Sequence, residues 1–466
     1  MKKISVVLMS MIGALLIGCK DHNPDPVTIP PVTNPQFEVN AWRAGGTGKD
    51  EGNYITVDGS GNVYVLGQFF NSVTFGTTTL TSNGDRDVFV VKYNNNGEVQ
   101  WAKSAGGTGS DSGLSIAVDG SSNVYVTGFY YHSINFGATA LASAGLSDMY
   151  VAKFKSNGEV QWAKSAGGTG YDNGSALAVD GGGNVYVGGS FTGSVSFGMT
   201  TLTCTGESDI YVAKYSSSGD LQWAKREGGV GSETVRGVAV DNSGNIYTTG
   251  TYIGTTTFGS TTLTPINPIG VVVDIYVTKF SNNGEVQWAK SAGSRGNETT
   301  LDIAVDGSGN AYITGYTTGL ATTFGSITLN PIGDYDTFIA KYSTNGEVQW
   351  AKIAGGTGAD QGQGIAVDES GNLYVTGNFS GTFTFGTTTL TSNGDLDIYV
   401  AKYNNAGDVQ WVKSAGGSGT DRGQDIVVDG SSKAYVTGLF SDTATFGSTT
   451  LTSSGDKDMF VAKFKN

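Results

Sequence analysis

The sequence predicts an all-β propeller, and three observations carry that prediction. The first is a repeated hairpin. Asp148 to Gly168 reads DMYVAKFKSNGEVQWAKSAGG, and near-copies open at Asp87, Asp336 and Asp397. Runs alternating in β-branched and aromatic residues flank a Gly-containing turn, the pattern of two antiparallel strands. The second is a period: Trp42, Trp101, Trp162, Trp223, Trp288, Trp350 and Trp411 recur once per copy, 59 to 65 residues apart. Short strands repeating at that length indicate radial repetition. The third is the pair of chain ends. FEVNAWRAGG from Phe37 matches the fourth strand of a unit, and DMFVAKFKN from Asp458 matches a third. The expectation is a seven-bladed β-propeller of four-stranded antiparallel blades, closed by pairing of Val39 to Arg43 with Met459 to Phe464. Closure would remove the open sheet edge that otherwise templates aggregation.

Each copy reads as four strands. In the second copy these are SIAVD (Ser115 to Asp119), NVYVTG (Asn123 to Gly128), then a longer connection through Phe136-Gly137, then the two hairpin strands. Tyr64, Tyr125, Tyr186, Tyr247, Tyr312, Tyr374 and Tyr435 share one position, and Phe75, Phe136, Phe197, Phe258, Phe324, Phe385 and Phe446 another. These aromatics are expected to pack blade against blade. IAVDGSGNVYVTG followed by FGTTTLTSNGDxDIYVAKYNxxGEVQWAK resembles the SBBP family of bacterial β-propeller repeats, from about Phe37 to Asn466. The resemblance implies a secreted or lipid-anchored propeller with no assigned activity of its own. The departures are a fourth copy lengthened at Pro265 to Val273 and a first copy two residues short after Trp42.

The amino terminus, MKKISVVLMSMIGALLIGC, has a basic start, an apolar run and a small residue before the break, as secretory leaders do. The run from Ile4 to Ile17 is shorter than the ~20 residues a spanning helix needs. Leu16-Ile17-Gly18-Cys19 resembles the bacterial lipobox, which implies cleavage before Cys19 and lipid on its thiol. Residues 1–18 are therefore expected to be a lipoprotein signal peptide. Residues 19–36 are the lipidated cysteine and a tether holding five of the eight prolines, and residues 37–466 are the propeller. More than one acyl chain makes anchoring durable, so the expected location is the bacterial cell envelope, as an outer-membrane lipoprotein facing the periplasm or the surface.

Composition narrows the function. Glycine numbers 72 and recurs at fixed turn positions, charged residues are only 15 %, and the formal charge is −14. Such a surface repels phosphate backbones and disfavours nucleic acid as a partner. With Cys19 spent on lipid, Cys204 has no disulfide partner. The two histidines, His22 and His132, exclude His-rich zinc sites. AGGTGKDE around Lys49 lacks both the spacing and the following helix of a phosphate loop, and DGSGN lacks the remaining ligands of a calcium loop. A monomer with no cofactor is expected, Ca²⁺ being the one cation considered.

Two sets of acids lie on one rim, because antiparallel meanders put alternate connections on opposite faces. Asp50, Asp111, Asp172, Glu233, Glu298, Asp360 and Asp421 end the glycine loops. Asp87, Asp148, Asp209, Asp274, Asp336, Asp397 and Asp458 open the third strands. One reading has these carboxylates accepting backbone N–H groups and pinning tight loops. The other has the glycine-loop set ringing the channel mouth and drawing in Ca²⁺, which takes 6–8 oxygens. Specific function needs asymmetry, and two places supply it. One is the apolar loop PINPIGVVV, with Pro265, Ile266, Pro268, Ile269 and Val271 as a partner surface; the other is the cluster Tyr130, Tyr131 and His132. The sequence thus points to a lipid-anchored, non-enzymatic binding or scaffold module for protein or glycan. The alternatives are an envelope glycan hydrolase or lyase using acids at the channel mouth, and a binder of small polar ligands with one site per blade.

Overall fold

The computed structural model describes residues 38–267 and 272–465. The leader, Cys19, the tether, and Pro268, Ile269 and Val271 of the loop lie outside the described residues. Among the described residues there is no helix. The second repeat shows the local plan. Ser112–Val118, Val124–Tyr130, Asp148–Phe154 and Val160–Ala166 form an antiparallel meander. A short hairpin, Ser133–Phe136 with Thr139–Ala142, sits between its second and third strands. The chain turns where glycine takes positive φ, as at Gly137 and Gly158, conformations that a side chain would strain.

The innermost strand of each repeat, from Asp50–Val57 in the first to Arg422–Val428 in the last, contacts the corresponding strand of the next, and the last contacts the first. The result is an all-β propeller around a central axis. The chain ends pair antiparallel from Val39 opposite Phe464 to Ala44 opposite Met459.

The sheets themselves differ from the expectation of seven separate four-stranded blades. Hydrogen bonding defines five sheets of four to six strands, one of eight strands and two two-stranded ribbons. The physical cause is the small residues at the end of the fourth strand, which let the backbone lie flat against the outer hairpin of the next repeat, as Gly355 and Gly356 do on Thr384 and Phe383 and as Ala292 and Gly293 do on Phe324 and Thr323. At Gly106 and Gly167 the approach makes only single bridges, and those hairpins stay separate. Four sheets thereby gain two strands. At the closure Gly45 and Gly46 pair with Thr74 and Val73, and the strand Val63–Phe75 runs on unbroken, so the first and last repeats fuse into one sheet. The first copy is also not two residues short. Asn40 stands opposite Lys463, where Trp101 stands opposite Lys92; Trp42 has moved two residues along the same face.

The apolar core lies between repeats. Tyr64, Leu66, Val88 and Val90 of the first pack with Val124, Val126 and Tyr150 of the second, and seven such clusters are each shared by neighbours. The seven tyrosines and seven phenylalanines singled out above are all buried. A polar clasp from Trp101, Trp162, Trp223, Trp288 and Trp350 reinforces five of the junctions. Trp101 Nε1 donates to the Ser156 carbonyl of the following repeat at 3.1 Å, and Trp162 to Ser217 at 3.2 Å. The indole rests on the turn glycine of that repeat, where a side chain would not fit.

Candidate functional site

The seven glycine-loop acids sit between repeats and are fully buried. One oxygen of each accepts a backbone N–H of its own neighbourhood: Gly46 to Asp50 at 2.6 Å, Gly107 to Asp111 at 2.9 Å, Gly168 to Asp172 at 2.7 Å, Gly229 to Glu233 at 3.2 Å, Ser294 to Glu298 at 2.8 Å and Gly417 to Asp421 at 2.7 Å. Asp360 accepts from Ser380 at 3.4 Å. These contacts pin the loops. None of the seven lines the central cavity, and among the described residues no group of three or more His, Cys, Asp or Glu is placed to hold a metal ion.

Each loop acid faces the acid that opens the third strand of the preceding repeat. Asp111 donates its own N–H to the carbonyl of Arg86, beside Asp87, at 2.8 Å, and Asp50 does the same to Lys457, beside Asp458. Both carboxyls press on one glycine: a Cβ on Gly228 would lie 2.5 Å from Asp209 Oδ1 and 2.9 Å from Glu233 Oε2. In several pairs a second carboxyl oxygen is buried with no donor among the described residues, as with Asp148 and Asp172 Oδ1 or with Asp87 Oδ1. Burial, opposed by the loop N–H and reinforced by the facing carboxylate, pushes Asp50, Asp111, Asp172, Glu233, Asp360 and Asp421 up to about 7. Two facing carboxyls of this kind can hold one proton between them.

At the other end of the inner strands the same residue type behaves oppositely. Asp58 Oδ1 accepts Ser60 N and Asn62 N at 2.9 and 3.0 Å, and Oδ2 accepts Tyr64 Oη and Ser122 Oγ, both at 2.9 Å. Burial raises Asp58, but these hydrogen bonds outweigh it and hold the carboxyl below its ordinary value. Asp119, Asp180, Asp306 and Asp368 repeat the arrangement.

The central cavity, about 470 Å³, is where the repeats differ. Every inner strand carries a register irregularity, for example between Val235 and Gly237 or between Gly423 and Asp425. A bulge re-aims side chains. The bulged residue and its successor are Asn53-Tyr54, Leu114-Ser115, Ser175-Ala176, Arg236-Gly237, Leu301-Asp302, Gln363-Gly364 and Gln424-Asp425, and all but Gly364 line the cavity. Asp302 Oδ2 accepts Ile365 N of the next repeat at 2.9 Å, and Asp425 Oδ2 accepts Ile55 N at 2.9 Å. Burial and, for Asp302, the charge of Asp425 raise both carboxyls, Asp425 to about 7. The Tyr54 phenol is pushed up to about 12 by burial and Asp425, against the pull of Arg236. Arg236 is exposed to the cavity and makes no ion pair among the described residues. The inner-strand dyads were readable as the two positions before each IAVD-type run that never repeat, hidden in a segment that otherwise looks uniform.

The acid-bearing rim is asymmetric too. Leu146, Tyr171, Val230, Ile266, Leu320, Ile332 and Tyr335 are exposed there, Val230 by 77 % and Ile332 by 75 %. All belong to loops of the second to fifth repeats. Corresponding positions elsewhere hold Asp85, Lys49, Asp395, Asp456 and Lys457. Ile266 of the lengthened loop joins this sector, its N–H fixed by Asp274 Oδ2 at 2.8 Å, while Pro265 is buried. Tyr130 is buried, its hydroxyl 2.8 Å from Ser165 Oγ; only His132 of its cluster is exposed.

The fold and its repeated junctions define a β-propeller repeat protein. The SBBP β-propeller repeat matches residues 222–255, 287–320 and 349–378 of the chain. It is similar to an uncharacterised WD repeat-containing protein of Acanthamoeba polyphaga mimivirus, 25 % identical over 86 % of this chain and 36 % of that one. It is also similar to the regulatory protein FlaEY of Caulobacter vibrioides, 28 % identical over 77 % of this chain and 39 % of that one. The chain thus spans under two-fifths of either relative. Among solved structures, a polysaccharide lyase described as an ulvan lyase superposes with a TM-score of 0.44 at 12 % identity, covering 85 % of this chain and 93 % of that one.

Proposed function

We propose that this protein is a non-enzymatic binding or scaffold module of a bacterial cell envelope, tethered by lipid on Cys19, that engages a protein or glycan through its acid-bearing rim. The observation that supports this reading is the exposed apolar and aromatic sector of the second to fifth repeats. Exposed large apolar side chains gathered on one rim mark an interaction site, and tyrosine offers an apolar ring with a polar tip to a partner. The test is binding of the full chain to an envelope-glycan array and to envelope protein extracts, repeated with Tyr171→Ser, Ile332→Ser and Tyr335→Ser combined. Loss of the bound signal in the variant is expected. A signal that is undiminished, or absent from the start, rejects the rim as the binding surface.

A second reading, an envelope glycan hydrolase or lyase, is favoured by one observation: Asp302 and Asp425 share a cavity and are raised. Acid–base catalysis needs two carboxyls of different protonation at one pH. Release of new chain ends from any glycan the array retains, abolished by Asp425→Asn, would establish it.

A further inference from the structure

We infer that the central cavity is a separate binding site for a small zwitterion, a molecule carrying both a carboxylate and an ammonium group, such as a free amino acid or a short peptide. The inference is independent of the rim. It stands on what the seven inner strands bring together. Arg236, on the fourth repeat, presents a guanidinium to the cavity with no counter-ion among the described residues. Across the ring, on the seventh and first repeats, lie Asp425 and Tyr54; Asp302 joins from the fifth.

Charge complementarity selects the ligand class. A neutral sugar leaves the guanidinium unpaired, and an anion without a cationic group meets two carboxyls. A simple amine leaves Arg236 unanswered. A zwitterion answers both: its carboxylate takes the planar fork of Arg236, which suits bidentate pairing, and its ammonium takes the outward lone pairs of Asp302 and Asp425. Each of these carboxyls spends one lone pair per oxygen on a backbone N–H, from Ile303 and Ile365 for Asp302 and from Ile426 and Ile55 for Asp425, so acceptor capacity remains. Backbone N–H donors hold both carboxyls in place, and Gly364 makes room beside Asp425, where a Cβ would lie 3.0 Å from Asp425 Oδ1. Leu114, Leu301, Ser175 and Ala176 complete the wall with small and apolar groups. The volume of about 470 Å³ falls in the range that encloses small molecules, roughly 300–1,000 Å³.

The test is calorimetric titration of the full chain at pH 7 with glycine, L-leucine and glycylglycine, against acetate, methylamine and glucuronate. Saturable binding of at least one zwitterion is expected, about tenfold or more tighter than any single-charge probe, with Arg236→Ala and Asp425→Asn each weakening it about tenfold or more. Amino acid against dipeptide distinguishes the two sources. Arg236 is exposed, so Arg236→Ala should leave the circular dichroism unchanged. Asp425→Asn keeps an acceptor for only one of the Ile55 and Ile426 N–H groups, and its circular dichroism and melting temperature are read alongside the titration. Glucuronate binding more tightly than the zwitterions, binding unaffected by Arg236→Ala, or no saturable binding by any zwitterion each overturns the inference.

Discussion

The junctions between repeats and the wall of the central cavity are built from the same inner strands, yet they obey opposite rules. At the junctions the same pair of acids returns around the ring, and a tryptophan ring rests on the turn glycine of the next repeat from Trp42 on Gly97 to Trp350 on Gly407. In the cavity no two repeats present the same dyad. Both regions bury carboxyls and raise them, Asp111 and Asp425 each to about 7. A raised acid therefore does not by itself separate scaffold from site here; repetition does. What recurs holds neighbours together, and what does not recur distinguishes one ligand from another.

Three substitutions sharpen that contrast. The largest effect is expected at a junction glycine. A Cβ on Gly167 would fall inside the carboxyl group of Asp148, so Gly167→Ala should cost about 3 kcal/mol or more, read from urea unfolding. Trp101→Phe keeps the ring on Gly158 but loses the hydrogen bond to Ser156, at about 1 kcal/mol by the same measurement. The smallest effect belongs to the cavity. Gln363→Ala should leave stability within about 0.5 kcal/mol, and a large loss there would erase the distinction between scaffold and lining.

Much of the fold was legible. Alternation gave the strands, the tryptophan spacing gave the repeat, and unmatched strands at the two ends gave the contact between Val39 and Phe464. Sheet membership was not legible, because it depends on how closely Gly355-Gly356 approaches the next hairpin, a backbone property that no side chain announces. Matching on tryptophan also misplaced the register at Trp42; the Gly45-Gly46 pair, which does align, was the better anchor. The loop acids were readable as a set on one rim, but their burial was not, since it arises from the neighbouring repeat closing over them. The cavity dyads escaped because the eye follows what repeats.

The most direct test of the junction–cavity distinction is the pH dependence of thermal unfolding, in the wild type and in Asp111→Asn. A folded-state value near 7 for Asp111, above its ordinary 3.8, means the folded protein holds the proton more tightly than the unfolded chain. Its contribution is then fully present below about pH 4 and lost as pH rises to about 7. The turn acids such as Asp58, held low, act in the opposite sense and only below about pH 4. The expected result is a melting temperature that falls from pH 4.5 to pH 8 in the wild type and falls less in Asp111→Asn, whose amide supplies a donor to the unpartnered oxygen of Asp87. A wild type that is more stable at pH 8, or an Asn variant with the same slope, would contradict a proton shared at the junctions.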